Sequence, residues 1–425
     1  LGQVILSWSS ISETLESLFS LERLGVKMGL EHTEKLLSTL GNPQRNLNLI
    51  HIAGTNGKGS TSSHIECVLR GLGKKVGLYT SPHLVRFNER IRVNGIPITN
   101  QEIESFLKKS WTNINEIKST FFETTTAMAL SHFNLKKVDI AIIETGLGGR
   151  LDSTNIINPL LTIITSVSMD HMEILGDTIE AISFEKAGIV KKGIPLITFE
   201  QNKTVMNVLN ETATQKKAEV YIANCPQNIK ASSSNTYFNL GETKYKTALL
   251  GKHQAQNASL AITALKVIEP GISTHSINDS FSQLRWAGRL EKLSPDIFYD
   301  VAHNLSGIKA MVNFFTELYP DKYLYGLFAI KGDKDLHLVI RTLMQSFKGL
   351  LVTSDKKGLL VPELKLSQIL NKNGLSNQPV SSVKQGVYEL KKLTKNNGIG
   401  IIFGTHYVAE EIYKEFDLLF DRALI

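Results

Sequence analysis

Cysteine is almost absent. Cys67 and Cys225 are the only two in 425 residues, and neither stands in a C-x-x-C pair or a zinc-ligand spacing. That argues against a disulfide scaffold or a structural zinc module and favours a reducing, cytoplasmic setting. Long apolar runs are missing as well. No stretch approaches the ~20 residues that span a bilayer, and the N-terminal segment lacks the basic-then-apolar order of a secretory signal, although the chain opens on Leu1 and not Met. No membrane partner is expected. There is no basic tract with interleaved aromatics, so the net charge of +7 leaves no nucleic-acid footprint. It suits anionic small ligands such as nucleotides or polycarboxylates, or it is incidental. Repeats and low-complexity segments are also lacking.

What is present is an alternation of strand-like and helix-like segments. Apolar runs at Leu47–Ala53, Lys75–Thr80, Val138–Glu144, Leu160–Val167 and Pro195–Phe199 predict strands, with helices between them at, for example, Ser60–Leu72 and Gln101–Lys109. Continuous Ile/Val/Leu runs joined by helices predict a parallel sheet buried on both faces. The polar stretch Tyr221–Leu250, with Gly241 near its middle, reads as a small antiparallel excursion, and His253–Val267 as a helix. The pattern breaks around Trp286–Asp296, and a second βα series follows at Ile297–Ala302, Tyr323–Ile330, Leu350–Thr353 and Gly398–Phe403. The length exceeds one ordinary core. The expected fold is therefore α/β: an N-terminal P-loop-type parallel-sheet ATPase domain, residues 1–291, and a smaller Rossmann-like α/β domain, residues 292–425.

The densest chemical signal is the run from Leu47 to Ser60, LNLIHIAGTNGKGS, in which a strand enters a small-residue loop and a helix follows. Gly54, Thr55, Asn56, Gly57, Lys58, Gly59 and Ser60 form that loop. Its glycines let backbone N–H groups converge on phosphate oxygens. Lys58 adds a compact positive charge, and the helix presents its positive end. The spacing departs from G-x-x-x-x-G-K-[ST], because two residues separate Gly54 from Gly57 and Gly59 stands between Lys58 and Ser60. A plain glycine-rich turn with an exposed lysine is the competing reading.

Other polar groups fall at the carboxyl ends of expected strands, the ligand edge of open α/β sheets. Glu144 closes one run and is placed to hold Mg²⁺, or else caps a helix. The glycine-rich segment after it, Gly146 to Asn155, suggests a close approach to something. His171 reads equally as a ligand and as a hydrogen-bonded structural residue. Ser81 opens a long charged segment, VRFNERIR, that is either a solvated loop or a lid with Ser81 as a metal ligand. Lys186 reads as a surface lysine opening a helix, with nothing local to mark it. Asp300 and His303 could grip a ribose, base or phosphate, or could form an Asx turn with a capping histidine. Arg289 could reach a phosphate from the linker. Cys67 reads as core.

Six motifs in order resemble the folylpolyglutamate synthase and dihydrofolate synthase family within the Mur-ligase-like group. They are HIAGTNGKGS (51–60), TSPHLVRFNERIRVNG (80–95), ETGLGGRLDSTN (144–155), DHMEILG (170–176), EKAGI (185–189) and DVAHN (300–304). The resemblance implies an ATP-dependent amide ligase with a central ATP-binding domain and a C-terminal glutamate-ligase domain. It implies that the loop 54–60 with Asn257, Arg289 and Asp300 binds ATP, that Lys58, Lys186 and His303 serve catalysis, and that Ser81, Glu144 and His171 hold two Mg²⁺ ions. Lys186 would be carbamylated, and K⁺ would be a further cofactor. Phe121, Phe122, Glu123, Leu151, Asp152 and Ser153 would receive the pterin. A tetrahydrofolate-type substrate and L-glutamate are the implied partners, with a monomer as the working state.

Dihydrofolate-forming relatives often carry Asp-Leu-Gly near the N-terminus. Here the comparable stretch is Lys27-Met28-Gly29-Leu30, which tilts the expectation towards glutamate-chain extension. Ser153 replaces an alanine common in relatives, a change expected to be minor. The bifunctional enzyme, which also joins dihydropteroate to glutamate, stays open. A cell-wall peptide ligase is disfavoured by the short stretch before the phosphate loop, and a P-loop switch or motor by the crowd of polar groups at the sheet edge.

Overall fold

The computed structural model describes residues 11–25, 29–332 and 336–418. Lys27 and Met28, of the stretch that stands where relatives carry Asp-Leu-Gly, lie outside them. The chain forms two compact units, one of residues 1–225 and 257–280 and one of residues 226–256 and 281–425.

The first unit is built on eight strands: β1 (Leu49–Ala53), β2 (Val76–Tyr79), β3 (Ile91–Val93), β4 (Ile96–Pro97), β5 (Ile140–Glu144), β6 (Leu161–Ile164), β7 (Leu196–Phe199) and β8 (Val220–Ala223). Their order is β4-β3-β2-β5-β1-β6-β7-β8. All pairings are parallel except those of β3 and β4 at one edge. Every residue of β1, β2, β5 and β6 is buried, as helices on both faces require, and this explains the unbroken apolar runs. Because β1 lies between β5 and β6, the loops after all three open onto one edge where the winding reverses, the crevice in which such sheets bind ligands.

One apolar cluster packs beneath β1, β2 and β5 against helices from the N-terminal half, and another packs β6 and β7 against the helices Ile179–Ala187 and Lys203–Lys216. The helix expected at Gln101–Lys109 runs from Asn100 to Ile117. Thr99 and Glu102 cap it reciprocally, and Ile103, Leu107, Ser110 and Ile114 continue its buried stripe through residues that look polar in sequence.

The second unit holds β9 (Gln227–Ala231), β10 (Thr236–Leu240) and β11 (Thr243–Thr247), an antiparallel sheet with Phe238 stacked on Tyr245 inside it. Its larger sheet has β12 (Glu291–Ser294), β13 (Ile297–Asp300), β14 (Tyr323–Phe328), β15 (Phe347–Val352), β16 (Asn377–Pro379) and β17 (Gly398–Phe403), in the order β12-β13-β17-β14-β15-β16. Only β12 runs antiparallel.

Four local expectations change. The boundary at 292 falls inside β12, which pairs with β13, so the supposed linker is a hairpin edge. Tyr221 belongs to β8 of the main sheet, not to the antiparallel excursion. The charged segment after Ser81 is not solvated: Phe87, Glu89, Arg90, Ile91 and Arg92 are buried. Glu89 accepts from the backbone N–H groups of Leu84 and Val85, both at 2.8 Å, and of Arg86, so the carboxylate that looks exposed in sequence is the hub of the turn. Lys186 closes the helix Ile179–Ala187 instead of opening one, and it is buried.

Candidate active site

The site begins where β1 ends. Gly54 has φ 149° and Gly57 has φ 90°, backbone that side chains resist. Space decides the matter too: a methyl at Gly54 would lie 1.8 Å from Thr165 Oγ1, and one at Gly57 would lie 2.3 Å from Asn257 Oδ1. The loop is stitched to the segment after β6. Thr55 N–H donates to Ser166 O at 2.6 Å, and Thr165 and Ser166 hydroxyls donate to Asn56 O at 2.8 and 3.0 Å. Sequence reasoning missed these anchors. Their signal was the pair of small polar residues Thr165 and Ser166 at the carboxyl end of an apolar strand.

Gly57 caps the helix Lys58–Gly71, so Lys58 sits in its first turn. Its Nζ donates to Gly54 O at 3.1 Å and Thr55 O at 3.3 Å, and lies 4.0 Å from Glu144 Oε1. Glu144 ends β5, buried, and its Oε2 accepts from Ser81 N–H at 3.4 Å. Lys186 Nζ donates to Gly54 O at 3.0 Å. Two lysines, one carboxylate and the Ser81 segment therefore converge on the loop, with Asn257 against Gly57. Asp170 reaches Lys186 electrostatically and lies 4.0 Å from the imidazole of His171, which is 44% exposed.

Burial first, and the nearby Lys58 charge second, push the Lys186 pKa from 10.5 down to about 7. The folded state thus releases its proton before the unfolded chain does. Between pH 7 and 10.5 the unfolded chain binds more protons, so the cost of burying the ammonium is full below that window and fades as pH rises through it. The unliganded protein is expected to gain thermal stability across that window, and Lys186→Met to flatten the gain. Parallel melting curves against pH for the two proteins would refute the shift.

The other expected residues form a neighbouring wall. Asp152 Oδ2 accepts from Gly146 and Leu147 N–H, both at 2.9 Å, and Oδ1 accepts from Thr154 N–H at 3.0 Å and Thr154 Oγ1 at 2.5 Å. Burial raises its pKa, and these four donors pull it back. Ser153 Oγ lies 2.8 Å from Thr126 Oγ1, so the serine in place of alanine has a buried partner. The Phe122 ring fills the space a side chain on Gly146 would need. Phe121 stacks on Phe19 at 5.6 Å, and Glu123 caps its own helix through Thr120 N–H at 2.6 Å. Leu151 is partly exposed beside them.

In the second unit, Asp300 lies within electrostatic reach of Arg289, and His303 follows three residues on. Asp300 ends β13 and accepts from Leu290 N–H at 2.8 Å and Ala302 N–H at 2.7 Å, so the Asx turn is real. Burial raises its pKa and the Arg289 charge opposes that rise. His303 Nδ1 lies 2.9 Å from Val301 O, and Asn304 caps the following helix.

Among the described residues, no three His, Cys, Asp or Glu side chains gather into a metal centre. None of their helices is long and apolar enough to cross a membrane.

A family model for the Mur ligase middle domain matches residues 52–265. A phosphate loop at the crevice of a doubly wound sheet, with a buried carboxylate beside its lysine, accordingly marks an ATP-dependent ligase of the Mur type. The chain is 34% identical to the dihydrofolate synthase/folylpolyglutamate synthase of Bacillus subtilis over 416 residues, which span 92% of this chain and 96% of that one. The solved structure of Mycobacterium tuberculosis folylpolyglutamate synthase complexed with ADP and AMPPCP matches with a TM-score of 0.85 at 27% identity, covering 95% of this chain and 99% of that one. That of E. coli FolC in complex with DHPP and ADP matches with a TM-score of 0.84 at 26% identity, covering 95% and 97%. The chain belongs to the folylpolyglutamate synthase/dihydrofolate synthase family.

Proposed function

We propose that the protein is a folylpolyglutamate synthase that adds L-glutamate to the glutamate side-chain carboxylate of a reduced folate, through an acyl phosphate formed from ATP. The observation that carries this reading is the convergence of Lys58, Glu144 and Lys186 on the loop after β1. A carboxylate repels nucleophiles and has no good leaving group, so it must be phosphorylated before an amine can displace anything from it. Lys58 leaves the loop carbonyls for the β/γ-phosphates, and the backbone N–H groups of the loop and helix start receive the phosphate oxygens. The amino group of glutamate then attacks the activated carbonyl, and phosphate departs with its electron pair.

The donor set suits Mg²⁺, a hard cation that takes oxygen ligands and uses one or two carboxylates plus phosphates. Glu144 and the Ser81 hydroxyl would hold one ion, and His171 with a carbamylated Lys186 a second. Mg²⁺ supplies charge neutralisation on the transferring phosphoryl group. Lys186 suits carbamylation because burial and the Lys58 charge lower its pKa to about 7, so that a large share of its amine is neutral near pH 7, and it faces the loop. K⁺ belongs to the reading through the family resemblance. The family resemblance assigns nucleotide contacts to Arg289, Asp300 and His303, with a catalytic role for His303, and Phe121–Glu123 and Leu151–Ser153 would receive the pteridine end of the acceptor. The first unit, with the second as glutamate-ligase domain, works as a monomer in the cytoplasm, with no nucleic-acid or membrane partner.

The second reading, a bifunctional enzyme, is favoured by the double name of the Bacillus subtilis relative. A coupled ADP assay crossing tetrahydrofolate and dihydropteroate, with and without L-glutamate, separates the two. Glutamate-dependent ADP release is expected with tetrahydrofolate and more slowly with dihydropteroate. Equal rates would establish the bifunctional enzyme, and glutamate-independent turnover with both would overturn the ligase.

A further inference from the structure

His51 occupies the middle of β1, paired with Ile143 on one side and Thr162 on the other, and it is fully buried. A histidine is a costly choice for the central strand of a parallel sheet, where an aliphatic side chain would bury without penalty. Its Nε2 lies 2.8 Å from Thr154 Oγ1, and its Nδ1 has no hydrogen-bond partner among the described residues. The ring therefore accepts a loose end on one side while making one bond on the other.

The direction of that bond follows from proton counting. Thr154 has a single hydroxyl hydrogen, and the acceptor 2.5 Å away is a carboxylate oxygen of Asp152. Once the hydroxyl donates there, His51 Nε2 must donate to the hydroxyl oxygen. Burial and the Lys191 charge push the His51 pKa to about 3, so the ring stays neutral with its one hydrogen on Nε2. The chain of bonds then runs from Asp152 to the N–H groups of Gly146 and Leu147, two and three residues after Glu144.

We propose that His51 is a positioning residue for the acceptor side of the site: by donating from Nε2 it turns the Thr154 hydroxyl onto Asp152, and so holds both the turn after Glu144 and the segment 151–153 in one geometry. The proposal rests on the reading above that this segment receives the folate-type acceptor. A satisfied core histidine would affect stability alone, whereas a positioning histidine affects the acceptor selectively.

The test uses His51→Leu, which keeps bulk and loses the donor, Thr154→Val, which loses the hydroxyl at constant shape, and Thr154→Ser, which retains it. Steady-state kinetics are measured with ATP, L-glutamate and tetrahydrofolate each varied. The expected result for the first two variants is an acceptor KM raised about tenfold, equivalent to about 1.4 kcal/mol, with the ATP KM within about twofold of wild type. Thr154→Ser restores the acceptor KM, and the double variant His51→Leu/Thr154→Val is no worse than either single one, since both break one chain. Unchanged acceptor KM, equal rises for ATP and acceptor, or additive effects would each overturn the proposal. A second readout needs no activity: nitrogen NMR of the histidine-labelled wild type at neutral pH must show the Nε2–H tautomer for His51. An Nδ1–H tautomer or an imidazolium overturns the relay. Wild-type protein that shows this tautomer but turns over neither acceptor would instead remove the functional reading beneath it.

Discussion

Lys58→Ala is expected to lower ATP-dependent ligation by roughly 10²- to 10³-fold while leaving the fold intact, as loss of a preorganised charge donor at a transferring group does. The Lys58 side chain is only 15% exposed, and the partners of its ammonium are two loop carbonyls and a carboxylate 4.0 Å away. Those partners are weak enough to exchange for phosphate oxygens, which carry more charge. Alanine suits the first turn of a helix, so circular dichroism and the melting transition should change little. The substitution also removes the second-largest influence on Lys186 and should raise its pKa towards the ordinary lysine value. Wild-type turnover in this variant would remove Lys58 from the phosphate site.

Glu144→Ala is the second large effect. The carboxylate sits buried at the end of β5 between Lys58 and the Ser81 backbone, and two lysines crowd the same loop. Removing it leaves the Lys58 ammonium without its nearby carboxylate and would delete the oxygen ligand proposed above for Mg²⁺. Turnover and Mg²⁺ affinity should fall together, by roughly a hundredfold, the upper end of what changes to supporting groups around metals cause. A Mg²⁺ titration that superimposes on wild type would exclude Glu144 from metal binding.

The phosphate loop, the strand beneath it and Glu144 were legible because their signals are local. A loop needing positive φ must spend glycines, and a strand buried on both faces must be continuously apolar. Lys186 was legible through the family resemblance alone, because a lysine closing a short helix looks like any surface lysine until the helix is packed against the loop. The segment after Ser81 misled for the same reason. Its charges suggest water, but Glu89 is used up on three backbone N–H groups of its own turn. His51 and Thr154 lie 103 residues apart, and no pattern in either neighbourhood announces the other.

The apolar strands of the two sheets' interiors, the glycine-rich loop after β1 and the kinship with folate-extending ligases were therefore written in the chain as short-range patterns of apolarity, glycine and charge. Folding had to supply the rest: which lysine is stripped of water, which carboxylate is consumed by backbone, and which histidine is locked neutral. Those properties depend on desolvation and on partners brought together from distant stretches, and a pKa or a hydrogen bond exists only once its surroundings do.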